Sequence, residues 1–125
     1  MDMRGYQHYQ EDAVTTMTQG ELLLLLYDGL VKRLKQAGLA LEQEQYPAFE
    51  TALDKSLAIL HHLSDTLDRQ YPISGDLAKL YEYFCYELSR VRAGRRPAEM
   101  DRVTDMISQL RDSFRQAERS AGLPR

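Results

Sequence analysis

Along this chain of 125 residues the apolar positions recur at intervals of three and four, never strictly at two. That period predicts helices and no strand. The first helix is predicted over 18–45, with a seam of Leu23, Leu26, Leu30, Leu34, Ala37 and Leu41. Thr18 suits its N-cap, and Glu21 three residues on completes a capping box. The second is predicted over 47–70, opening at Pro47 and carrying Phe49, Leu53, Ser56, Leu60, Leu63 and Leu67. Pro is favoured in the first helical turn, where its missing N–H would have no partner. The run Tyr71-Pro72-Ile73-Ser74-Gly75 breaks the pattern. A third helix over 75–93 shows Leu77, Leu80, Tyr81, Phe84, Leu88 and Val91, and Gly94 ends it. Pro97 opens a fourth over 97–120, with Met100, Val103, Ile107, Leu110, Phe114 and Ala117. Four such seams with short connections predict an all-α, antiparallel up-down four-helix bundle over 18–121. Residues 1–17 hold no sustained period and predict a mobile or loosely docked N-terminal arm. Gly122 and Pro124 mark a frayed end.

Two features exceed what a plain bundle needs. Residues 22–26 are five consecutive leucines. At 100° per residue they coat the whole circumference of the helix, whereas a bundle helix needs only a stripe. The arm, a second copy of the chain or a partner is expected to cover the outward ones, Leu22 and Leu25. The second feature is aromatic. Tyr81, Tyr83, Phe84 and Tyr86 lie within six residues. Tyr81 and Phe84 fall on the core stripe, while Tyr83 and Tyr86 point away from it. Outward tyrosines combine large apolar area with a hydroxyl, which suits recognition.

Composition narrows the role. The chain is 43% apolar and 28% charged, ordinary for a water-exposed single domain. A net charge of -3 gives no global basic field to draw nucleic acid. The longest apolar run, residues 22–27, is too short to cross a bilayer, so no membrane insertion is expected. The first residues lack a basic stretch leading into an apolar one, so no secretory signal is expected. Cys85 is the only cysteine and allows no internal disulfide. Together these features predict a cytosolic protein.

Catalytic chemistry finds little support. No glutamate is followed by histidine three residues later, as a di-metal carboxylate bundle requires. His61, His62 and Asp65 would make an incomplete metal site on one helix. The rival reading of another class is a bundle presenting His61 or His62 for phosphotransfer, although Leu63-Ser64-Asp65 is not the small-residue context it wants. A generic dimeric adaptor is a further alternative. Gly-rich phosphate loops and a Gly-x-Ser-x-Gly elbow are absent from the sequence. No cofactor is expected. Arg90, Arg92, Arg95 and Arg96 form a basic knot that reads as a solvated turn complementing a helix C-terminus.

An ordered set of motifs resembles a known family. Thr15-Thr16-Met17-Thr18-Gln19-Gly20-Glu21-Leu22, running into Leu25-Leu26-Tyr27-Asp28-Gly29, is similar to the signature of the FliS-type flagellar secretion chaperones. There a Val-x-Thr-Ala-Ser-Pro-Glu-Glu-Leu stretch leads into Leu-Tyr-Asp-Gly, and Val14 holds the leading position. Leu77-Ala78-Lys79-Leu80-Tyr81-Glu82-Tyr83 resembles the second signature, and Leu110-Arg111-Asp112-Ser113-Phe114 the closing one. Tyr6, Tyr9 and Gln10 resemble the family's N-terminal tyrosine segment. The chain departs at Thr18-Gln19, where the family has Ser-Pro, and at Gly20, where it has glutamate. Ile73-Ser74-Gly75 and Asp76 replace a Gly-Gly-Glu approach and an asparagine. The resemblance implies a cytosolic, non-enzymatic chaperone that holds the disordered C-terminal segment of flagellin until export. It adds export-gate components as further partners, while the outward leucines add a weak homodimer. Residues and resemblance together nominate Tyr6, Tyr9, Val14, Leu22, Leu25, Tyr27, Leu80, Tyr81, Tyr83 and Tyr86 as partner contacts.

Overall fold

The computed structural model describes residues 17–122. They form four α-helices: α1 (Gln19–Glu42), α2 (Tyr46–Asp65), α3 (Ile73–Gly94) and α4 (Pro97–Gly122). α1 packs on α2 and α4, and α3 packs on the same two, so α1 and α3 are diagonal. On α1 and α4 the numbering runs in opposite senses: Tyr27 stacks on Phe114, while Gly38 faces Met100. The architecture is the predicted all-α helical bundle.

The seams form the core. Leu30, Leu34, Phe49, Leu53, Leu60, Leu88, Met100, Val103 and Ile107 have essentially no exposure. Ser56, the one polar seam residue, is fully buried, and its hydroxyl donates to the Ala52 carbonyl at 2.9 Å. Burial therefore leaves it no unpaired group. Burial thins toward the end of α4, where Leu110 and Phe114 are half-buried and Ala117 is exposed.

Helix ends follow local chemistry. Thr18 Oγ1 accepts from the Glu21 N–H at 3.1 Å, the first half of the expected capping box. α1 closes in a Schellman arrangement. Gln45 N–H donates to the Ala40 carbonyl at 2.8 Å and Glu44 N–H to that of Leu41 at 3.1 Å. Glu44 is left-handed there, at φ 56°. A glycine would remove that strain, so Glu44→Gly is expected to stabilise the fold by about 0.5–1 kcal/mol. Thermal unfolding should then shift upward by a few degrees.

α2 stops at Asp65, short of the predicted 70. Thr66 Oγ1 donates to the His62 carbonyl, and Asp68 Oδ1 accepts from the Gln70 N–H at 3.0 Å. Such side-chain bonds compete with the helical ladder and turn the chain before Pro72. At the far end of α3 the left-handed residue is Arg95, at φ 51°, with Gly94 still helical. The Arg95 guanidinium lies 4.0 Å from the Tyr46 ring centre, a cation–π contact that favours this placement.

Candidate partner-binding surfaces

The three signature stretches meet in space. The Tyr27 and Tyr81 hydroxyls hydrogen-bond to each other across the diagonal of the bundle. Tyr27 also stacks on Phe114, with ring centres 5.0 Å apart and planes at 23°. Beside it, Asp28 accepts from Arg115 at 2.7 Å and lies 3.7 Å from Arg111. One residue cluster thus joins α1, α3 and α4. Tyr27 and Tyr81 are expected from the resemblance to touch a partner. Both are buried, and each hydroxyl is satisfied by the other, so neither offers surface in this arrangement. Burial raises both phenols above the usual tyrosine value. Their shared hydrogen bond adds to the rise at Tyr27 and opposes it at Tyr81.

The remaining nominated residues divide. Leu80 is half-buried and packs against the core. None of the five leucines is fully buried: Leu22, Leu23, Leu24 and Leu26 are half-buried, and Leu25 is 47% exposed. Tyr83 and Tyr86 are 41% and 59% exposed. Leu25 and Tyr86 each stand two residues from an inward aromatic, Tyr27 and Phe84, which turns them roughly to the opposite side of their helix. Because α1 and α3 are diagonal, these outward groups lie on opposite sides of the bundle. Tyr6, Tyr9 and Val14 lie outside the described residues. Tyr71 and Ile73, not among the nominated contacts, are both largely exposed at the α2–α3 connection. That connection stands at the same end as the start of α1. Apolar residues flanking a Pro72 break were the available signal.

Charges tie the outer faces. Arg92 reaches Glu50 and, at 2.6 Å, Asp54, joining α3 to α2. It is therefore a bridge and not part of a free basic turn. Arg102 joins α4 to α3 through Glu87 at 2.6 Å, a carboxylate with only 8% side-chain exposure. The Tyr83 hydroxyl, Glu87 and Glu99 together hold Arg102 above its ordinary value.

A Cβ at Gly20 would meet only the tip of the flexible Glu118 side chain of α4, which can swing aside at little cost. That carboxylate sits beside the start of α1, where the helix dipole favours negative charge.

Other chemistry is sparse. His61 and His62 are both exposed on α2. Among the described residues no three His, Cys, Asp or Glu side chains gather to hold a metal ion. The Cys85 thiol is half-buried and pushed up by burial and then by Glu82, which disfavours the reactive thiolate. No described helix is long and apolar enough to cross a membrane.

A family model described as flagellar protein FliS matches residues 2–121. The chain belongs to this family. It is 30% identical over 115 residues to the flagellar secretion chaperone FliS of Bacillus subtilis (strain 168), covering 92% of this chain and 86% of that one. The flagellar secretion chaperone FliSB of Pseudomonas aeruginosa is 29% identical over 115 residues, covering 90% and 91%. The FliS of Salmonella typhimurium is 28% identical over 109 residues, covering 85% and 81%. A crystal structure of a bacterial flagellar chaperone superposes with a TM-score of 0.76 at 17% identity, over 96% of this chain and 99% of that one. That likeness supports the fold. The family is thus one of flagellar secretion chaperones, and its three signature stretches coincide here with the buried tyrosine cluster.

Proposed function

We propose that this chain is a cytosolic export chaperone that binds the C-terminal segment of flagellin, blocks premature polymerisation and delivers it to the flagellar export apparatus. The family match across nearly the whole chain carries this reading. The exposed apolar groups support it. A segment that is disordered when free can wrap a large surface without extreme affinity, because ordering it offsets part of the contact energy. Leu25 on one side of the bundle and Tyr86 on the other suit such a wrapping ligand better than a single groove would. Amphipathic helices of the segment would lay their apolar faces on these sites. The role requires binding and release, with no bond made or broken by the chaperone. In this proposal Tyr6, Tyr9 and Val14 of the arm cover the outward leucines when flagellin is absent.

Co-expression with flagellin tests the reading. Tagged chaperone should retain full-length flagellin through purification and lose flagellin truncated at its C-terminus. Equal retention of both forms would place the contact elsewhere.

A further inference from the structure

The outward face of α1 changes character after the leucine run. Lys32, Arg33 and Lys35 follow one another with no acidic residue from Gly29 to Leu41. Among the described residues none of the three makes an ion pair, although the chain as a whole is acidic. Leu39 stands among them at 56% exposure. Shallow clefts flank this ridge on both sides. One, of about 380 Å³, lies against α4 and is lined by Val31, Lys32, Lys35 and Leu39 together with Arg111 and Asp28. Those last two neutralise each other through their contact. The other, of about 410 Å³, lies against α2 and is walled mainly by Ala40, Pro47, Ala48 and Ala52, with Lys55 at its rim. Lys55 has no ion pair among the described residues either.

We infer that this face of α1 is a second docking surface, separate from the flagellin sites, for an amphipathic partner helix with an apolar stripe and acidic flanks. Leu39 supplies the exposed apolar contact, and the clefts accept the partner's side chains on either side of it. Lys32, Lys35 and Lys55 supply positive charge that nothing in the described bundle answers. Charge complementarity of this kind selects among partners and sets orientation more than it adds raw affinity. The ridge lies on the same outward stripe as Leu25, with Lys32 about 10 Å and Leu39 about 20 Å along the helix axis from it, from a rise of 1.5 Å per residue. One side of the bundle therefore holds two surfaces of different chemistry.

The test uses the full chain and a fluorescein-labelled synthetic helix with a leucine face and glutamate flanks. A matched peptide with lysine flanks serves as the comparison. Fluorescence anisotropy should show the glutamate peptide binding about tenfold more tightly than its counterpart. K32E/K35E should reverse that preference, and L39E should abolish binding while circular dichroism stays unchanged. L25E should leave this binding intact. Equal affinity for both peptides, or loss of binding in L25E but not in L39E, would overturn the inference. Since the probe is not flagellin, either outcome leaves the flagellin reading to its own experiment.

Discussion

Replacing Tyr27 with phenylalanine is expected to lower the unfolding free energy by about 1–3 kcal/mol, with flagellin-peptide affinity unchanged once the folded fraction is allowed for. The change orphans the Tyr81 hydroxyl in a site with 1% exposure, and a buried polar group without a partner costs about that much. Tyr81→Phe should do the same to Tyr27. The double variant should lose less than the sum, because removing both hydroxyls leaves neither unsatisfied. Chemical denaturation of the four proteins measures this cycle. Strict additivity would mean that the two hydroxyls do not meet.

The same pair sets an alkaline limit. Both phenols are raised above the ordinary 10.0. A group held protonated in the fold stabilises it fully below its unfolded value and loses that contribution as pH rises through the folded one. Stability should therefore decline above about pH 10, and the decline should be shallower in Y27F/Y81F. Denaturation midpoints collected from neutral to alkaline pH check both statements.

Opposite behaviour is expected at the outward positions. Leu25→Glu and Tyr86→Ala should each weaken flagellin-peptide binding about tenfold, equivalent to roughly 1.4 kcal/mol. Thermal stability should stay nearly unchanged, since substitutions at exposed sites without special partners stay within about 0.5 kcal/mol. Because the two residues face opposite sides of the bundle, their effects should add. Calorimetric titration of the two single variants and the double variant reads this directly. A large loss from one and none from the other would confine the ligand to one side.

These contrasts follow from what a sequence can and cannot carry. Alternation by three and four placed Leu30, Leu34, Phe49, Leu60 and Ile107 in the core because burial imposes that period on any bundle helix. The same period includes Tyr27, which precedes Leu30 by three and Val31 by four. The leucine run hid this, since with every face apolar no residue there marks the inward one. Tyr81 was legible as a core residue by spacing, but signature membership also drew it into the nominated contacts. Residues that mark a family also include those that hold its framework. The Asp28–Arg115 and Arg92–Glu50 bridges span 87 and 42 positions, distances over which local pattern says nothing. Leu67 continues the apolar period past the true end of α2 at Asp65, so spacing alone extends the helix too far. Thr66 and Asp68 held the stop signal in their side-chain hydrogen bonds.

Under the proposed function, this bundle holds flagellin's C-terminal segment on exposed apolar surfaces. Isothermal titration of the full chain with that segment as a synthetic peptide, at several temperatures, tests it most directly. Saturable binding is expected at roughly micromolar concentrations or tighter, with a negative heat-capacity change from apolar burial and coupled folding. No heat and no saturation with both components at roughly tens of micromolar would contradict it.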